Sequence, residues 1–182
     1  MERKGLVHVY TGNGKGKTTA SVGLGIRAAG RDFKVVMVQF LKSSDTGELK
    51  IIEELPNFEV HRFERPRGFF WTLDENEKKE LQEDIDTALR FVDERLSKGD
   101  CDMLILDEIM GAIGNKLVDP NVLASKIANR KEHLEVVLTG RNVPEVIKEI
   151  ADIIFLEYFQ EPFIISIIVF GFSQLVAAGA QG

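Results

Sequence analysis

LVHVYTGNGKGKTTASVGLGIRAAG, residues 6–30, decides the fold. Leu6 to Tyr10 is a short β-favouring run that delivers the chain directly into a glycine-rich loop. From Thr18 to Ala29 small and apolar residues recur at helical spacing, and Gly30 is placed to stop that helix. Strand, glycine loop and helix in this order are the context in which a phosphate loop works. The general pattern is GxxxxGK followed by Ser or Thr. Gly16, Lys17 and Thr18 fill its second half, while Thr11 stands where the first glycine would be. Gly12, Gly14 and Gly16 still let successive backbone N–H groups turn toward a central anion. Lys17 is expected to reach terminal phosphates, the Thr18 hydroxyl to ligate Mg²⁺ or Mn²⁺, and the first turn of the helix to add its positive end. Asn13 and Thr19 complete the loop. Lys15 is either a second phosphate contact or a solvent-facing lysine. The ligand implied is a nucleotide polyphosphate, ATP first.

Working outward, Lys34 to Phe40 reads as a second strand, apolar enough to be covered on both faces. Gly47 to Leu55 reads as a short helix and Phe58 to Phe63 as a third strand. In the helix from Asp74 to Ser97, Leu81, Ile85, Ala88, Val92 and Leu96 form one apolar stripe. Met103 to Leu106 is a strand ending in Asp107 and Glu108, and Asp119-Pro120 opens another helix. Leu134 to Leu138 is a strand running into Thr139-Gly140-Arg141. Val143 to Ile150 reads as a helix with Pro144 in its first turn, and Ala151 to Leu156 as a sixth strand. The alternation predicts a single α/β domain over residues 1–182, a three-layer, mostly parallel sheet with helices on both faces. Asn13, Gln39, Asp107 and Thr139 then gather where strands end, the edge at which this architecture places ligands.

Composition narrows the function classes. Of the 182 residues 44% are apolar and 29% charged, the balance of an ordinary globular protein. The formal net charge is -6 with both signs well mixed, so no basic stripe offers a grip on nucleic acid. The one cysteine, Cys101, excludes an internal disulfide and a Cys-rich metal site and fits a buried thiol in a reducing, cytoplasmic setting. The amino terminus does not read as a secretory signal. Residues 162–182 carry no charged side chain, and FIISIIVFGF lies among them. Its strongest apolar run is short for a membrane span, so the tail is read first as buried or interface-forming, with a poorly ordered end and membrane contact as weaker readings.

Four further groups carry chemistry. Asp107, an acid closing an apolar strand, is placed to contact the metal directly or through water, and Glu108 either joins the metal shell or positions substrate. Arg141, past a strand on the ligand edge, suits a phosphate or carboxylate. Arg62, Arg65 and Arg67 form either a solvated loop or an anion site. Gly68-Phe69-Phe70-Trp71 after them either folds inward or forms a lid or platform for a flat ligand.

These motifs together resemble the phosphate-loop type of ATP:corrinoid adenosyltransferase. VYTGNGKGKTTA at residues 9–20, VQFLK at 38–42, GFFW at 68–71, LILDE at 104–108, LEVVLTGRNVP at 134–144 and ADIIFLE at 151–157 match the family's segments in order. The family's own loop likewise has Thr at the position of Thr11. This chain departs from it at Phe70, at Ile109-Met110-Gly111 and in the uncharged tail. The resemblance implies transfer of the 5′-deoxyadenosyl group of ATP to cobalt(I) of a corrinoid co-substrate, with tripolyphosphate leaving. Lys17, Thr18, Asp107, Glu108 and Arg141 would then be catalytic, residues 12–19 would hold ATP, and Phe69 and Trp71 would pack on the corrinoid. It also implies a homodimer and a separate reductant. A phosphate-loop ATPase or small-molecule kinase, and a nucleotide-gated binding module without turnover, are the competing readings.

Overall fold

The structure, a computed structural model, describes residues 3–42, 47–160 and 163–170. Seven strands form one sheet in the order β3-β2-β4-β5-β1-β6-β7. They are β1 Val7–Gly12, β2 Val35–Gln39, β3 Phe58–His61, β4 Met103–Asp107, β5 Glu135–Thr139, β6 Ile153–Gln160 and β7 Phe163–Phe170. All neighbouring pairs among the first six are parallel, and β7 runs antiparallel to β6. The helices are α1 Lys17–Ala29, α2 Gly47–Ile52, α3 Glu75–Lys98, α4 Ile109–Gly114, α5 Pro120–Ala128 and α6 Glu145–Glu149, with a 3₁₀ turn at Phe70–Thr72.

Strand periodicity sorts the core into two layers. Val36, Val38, Leu104, Leu106, Val136 and Leu138 share one cluster with Leu81, Ile85 and Val92 of α3 and Leu123 and Ile127 of α5. Val35, Met37, Met103, Ile105 and Val137 face the other way, onto Val22 and Ala28 of α1 and Ile52 of α2. Every residue of β2 and β4 is buried, as expected of strands covered on both faces. Helix α1 lies close to the sheet because residue 25 is glycine. A Cβ there would come within 2.5 Å of the Phe58 ring.

Helix α3 follows its sequence pattern closely. Leu81, Ile85, Ala88, Val92 and Leu96 are its buried residues, and each of the larger ones contributes roughly 1.5–3 kcal/mol by leaving water. Asp74 accepts from the amides of Asn76 and Glu77 while the Glu77 carboxylate accepts from the Asp74 amide, a reciprocal cap that fixes the start. Asp119 caps α5 one way only, accepting from the amides of Asn121 and Val122, with Pro120 as the first helical residue. Cys101 is buried, and burial pushes its thiol up to about 12.

The structure adds elements that the sequence pattern did not supply. Helix α4 follows directly on β4, β6 runs on to Gln160, and β7 occupies part of the uncharged tail. Helix α6 is shorter than expected because Pro144 sits outside it as the cap. Expectations for residues 161–162 and 171–182 lie outside the described residues. No described helix is long and apolar enough to cross a membrane.

Candidate functional site

Strands β1, β2, β4 and β5 end at one edge of the sheet, and the polar residues of the site stand there. The general pattern's first glycine is not needed at residue 11, because Thr11 is still in β1 and is buried. The unusual backbone begins one residue later, with φ of 134° at Gly12 and 116° at Gly16, values a side chain would resist. Gly16 opens α1, and no side chain caps that end. The amides of the first turn therefore point into the loop. Lys17 is buried, and its ammonium donates to the carbonyls of Gly12 at 2.9 Å and Gly14 at 2.8 Å. Its charge is thereby fixed at the centre of the loop, while Asn13, Lys15 and Thr19 are exposed around it.

Asp107, like Thr139 beside it, has no exposed surface. Its Oδ1 accepts from the hydroxyls of Thr18 at 2.9 Å and Thr139 at 2.8 Å. Its Oδ2 accepts from the Gln39 amide at 3.2 Å and the Lys42 ammonium at 2.7 Å. The sheet order explains this convergence. Gln39 and Asp107 are register partners on β2 and β4, and β5 lies between β4 and β1, so Thr139 fills the gap between Asp107 and the glycine loop. Arg62 donates to Gln39 Oε1 at 2.7 Å, which turns the amide nitrogen of Gln39 toward Asp107. Lys42 also approaches Thr18 Oγ1 at 3.3 Å.

Glu108 takes a left-handed conformation, φ 61°, uncommon for a residue with a side chain. Its amide donates to Thr139 Oγ1 at 2.8 Å. The bend separates the jobs of the two adjacent acids: Asp107 points into the buried network, and Glu108 lines a groove of about 730 Å³. Arg141, Lys42, Glu64, Phe69 and Trp71 also line that groove. The Phe69 and Trp71 rings stack 4.7 Å apart with planes 3° from parallel. They are 69% and 77% exposed. Phe70 between them turns inward and packs against the core. The alternatives left open for this segment are thus divided among its residues, one aromatic anchoring the turn and two forming an exposed apolar platform.

Asp84 of α3 holds the loop that carries the platform. It accepts from the side chains of Arg65 and Arg67, at 3.0 and 2.6 Å, and from the Arg65 amide at 3.2 Å. Burial would push its carboxyl up, but these hydrogen bonds and the two guanidiniums outweigh that and hold it below the usual carboxylate range. Glu64 accepts from the Leu41 amide at 2.7 Å, and burial raises its carboxyl above its ordinary value. Of the three arginines, Arg62 reaches the Asp107 network through Gln39, whereas Arg65 and Arg67 tie the loop to Asp84 and also line the groove.

The structure therefore brings Lys17, Thr18 and Asp107 into one cluster and sets Glu108, Arg141, Phe69 and Trp71 around the adjoining groove. Lys42 and Asp84 are contributors that motif reading passed over, and Arg62, read there as part of a solvated loop or an anion site, reaches the cluster through Gln39. The lysine of VQFLK, just past a strand end, was the available signal for the first. Gln39 and Thr139 had stood out only as polar ends of apolar strands.

Comparison with known proteins finds relatives over most of the chain. The family model described as ATP:corrinoid adenosyltransferase BtuR/CobO/CobP matches residues 3–157. A corrinoid adenosyltransferase of Pseudomonas aeruginosa is 31% identical over 155 residues, covering 83% of this chain and 73% of that protein. One of Sinorhizobium is 32% identical over 170 residues, covering 89% and 76%. One of Escherichia coli is 31% identical over 159 residues, covering 84% and 76%.

Proposed function

Since this chain belongs to the ATP:corrinoid adenosyltransferase family, an enzyme family that moves the adenosyl group of ATP to corrinoid cobalt in cobalamin biosynthesis, we propose that its two adjoining regions divide that reaction between them. The glycine loop with Lys17, Thr18 and Asp107 holds the triphosphate. The groove with Phe69, Trp71, Glu108 and Arg141 holds the corrinoid and the adenosine end of ATP. The observation that carries this reading is the adjacency of a phosphate loop and a large aromatic-lined groove, with Lys42 lining the groove and reaching Thr18 beside the loop.

The chemistry follows from which bond breaks. Cobalt(I) attacks C5′ of ATP, the C5′–O bond breaks, and its electron pair leaves with tripolyphosphate. No protein nucleophile is needed. The protein must stabilise charge growing on the leaving triphosphate and hold the attacking metal in line. The Lys17 ammonium, fixed over the loop, supplies the first contribution, with the amides of residues 14–18 and the start of α1. Phe69 and Trp71 provide a flat apolar surface for one face of the corrinoid, excluding water and a ligand on cobalt from that face. Arg141 is assigned to the phosphate or to a corrinoid carboxylate, and Glu108 to positioning the substrate.

A divalent cation fits the donors present. Thr18 Oγ1 and Asp107 are hard oxygen donors in mutual contact, and the Lys42 ammonium beside both marks the position as one that favours a cation. Among the described residues there is no group of three or more His, Cys, Asp or Glu suited to a metal. Phosphate oxygens and water would therefore complete the shell, which is the usual manner of Mg²⁺ and also suits Mn²⁺. Such an ion would neutralise charge on the leaving triphosphate.

A cytoplasmic homodimer served by a separate reductant completes the proposal. The buried free thiol supports the cytoplasmic setting and the uncharged sequence of residues 162–182 the dimer, while the reductant follows from the need for cobalt(I). Light scattering tests the dimer. The function is tested by incubating the protein with ATP, Mg²⁺ and a chemically reduced corrinoid and identifying the phosphate product. Tripolyphosphate formed only with corrinoid present is the expected result. ADP formed without corrinoid would establish the ATPase or kinase reading instead.

A further inference from the structure

Lys42 lies outside the glycine loop and the acidic strand, yet its ammonium touches both oxygen donors assigned above to the metal. It donates to Asp107 Oδ2 at 2.7 Å and approaches Thr18 Oγ1 at 3.3 Å. Its side chain is 21% exposed, against 0% for Asp107. The buried carboxylate thus has a partner that can reach open space, and its other three hydrogen bonds come from neutral groups, Thr18, Thr139 and Gln39. An ionised carboxylate at such depth needs a countercharge. In this conformation Lys42 provides it.

An ion bound between Thr18 and Asp107 at the ~2.0–2.1 Å distances of Mg²⁺ would stand in the space that the ammonium uses. The two cations cannot share it, by volume or by charge. We infer that Lys42 is an exchangeable counter-cation. It neutralises Asp107 until a divalent ion arrives, then swings from the carboxylate to the triphosphate brought with that ion. The structure supports both ends of this movement: Lys42 contacts Asp107, and it also lines the groove that opens beside the phosphate loop. The inference rests on the metal placement proposed above and adds a coupling to it. A metal ion arriving alone must eject Lys42 with no new partner for it, whereas one arriving with nucleotide supplies phosphate oxygens. Metal and nucleotide therefore bind cooperatively, and Lys42 is the positioning residue that links them.

Two titrations test this on the intact protein. Mn²⁺ binding without nucleotide is followed by electron paramagnetic resonance, and ATP binding in the presence of Mg²⁺ by calorimetry. Lys42→Met keeps the length of the side chain and removes its charge. It should tighten Mn²⁺ binding without nucleotide by about tenfold or more while weakening Mg²⁺-ATP binding by a similar factor, within the usual range of such couplings. Lys42→Arg, retaining charge, should bind Mn²⁺ alone as weakly as the parent. Opposite signs in the two titrations separate this role from a structural one, which would weaken both. Unchanged or weaker Mn²⁺ binding by Lys42→Met would overturn the inference. If Lys42→Met does not fold, Lys42→Gln carries the same expectations and the same refutation. Asp107→Asn keeps the two ideas apart. If it loses Mn²⁺ binding while Lys42→Met binds like the parent, the exchange is wrong and the metal placement stands. If it retains Mn²⁺ binding, the metal placement itself fails.

Discussion

Replacing Asp84 by Asn should loosen the aromatic platform without disturbing the phosphate loop. The carboxylate joins α3 to the loop through Arg65 and Arg67. Its pair with Arg67 has both partners largely buried, at 11% and 9% exposure, whereas Arg65 is 53% exposed. The screened Arg65 contact adds little. A charge-assisted hydrogen bond of the Arg67 kind contributes ~1.5–3 kcal/mol. Discounted for solvent at the rim and for the neutral bond Asn can still accept, the loss is about 1–2 kcal/mol. In a chain of this size that corresponds to a Tm lower by about 2–8 °C. If binding must first restore the loop, the same energy weakens corrinoid affinity about 5–30-fold. ATP affinity should stay within about twofold, since the loop holding Lys17 makes no contact with Asp84 through these bonds. Trp71 is the chain's one tryptophan, so its fluorescence anisotropy reads the platform directly and should fall. The parent should show the same loosening in acid. Asp84 is depressed in the folded state, so its contribution is complete above the unfolded value near ~3.9 and is lost as pH falls through the lower folded value. A variant with normal Trp71 anisotropy and normal corrinoid affinity would refute the reasoning, whatever its Tm.

Lys17→Ala should lower kcat/KM by at least about 10²-fold, because a charge contact to the leaving triphosphate is removed. Circular dichroism should confirm that the fold persists, and near-normal turnover by the folded variant would reject the assignment. Trp71→Ala and Phe69→Ala should each raise the KM for corrinoid by roughly tenfold through loss of stacking surface. Their exposure predicts stability within about 0.5 kcal/mol of the parent, measured by urea unfolding. Glu135 is held low chiefly by His8, whose Nε2 lies 3.2 Å from its carboxylate, and further by Arg3, against burial. Its contribution is therefore present above ~4.3 and disappears as pH falls through the depressed folded value. Glu135→Gln should destabilise the protein at pH 7 and progressively less as pH falls below ~4.3, and a loss that stays constant through acid would contradict the ion-pair account.

The readable parts of the fold were those whose cause is local. The stripe of α3 and its cap lie within one helix, and the glycines of residues 12–16 carry their own backbone demands. Helix α4 was not legible. It has six residues, two of them glycine, and follows a left-handed Glu108. Burial of Ile109, Met110, Ala112 and Ile113 stabilises it, rather than helical propensity. Strand β7 escaped because a continuous apolar run has no period to separate strand from other buried segments, and its pairing with β6 defines it. In the site, Lys17, Thr18 and Asp107 belong to motifs with fixed spacing. Lys42 and Asp107 are 65 residues apart and Arg67 and Asp84 are 17 apart, and only the sheet order and the packing of α3 bring such pairs together.

The sheet order also imposes a schedule on synthesis. Strand β1 leaves the ribosome first, but its neighbours in the sheet are β5 and β6, among the last strands made. Roughly 120 residues separate Gly12 from Glu135. At ~5–20 residues per second, the first strand waits about 6–25 s for a partner. Through that interval the glycine loop has no sheet edge to hold it and Thr18 has no Thr139 beside Asp107. Nucleotide therefore has no finished site on the nascent chain, and ATP can act as a folding ligand only after β5 has been made.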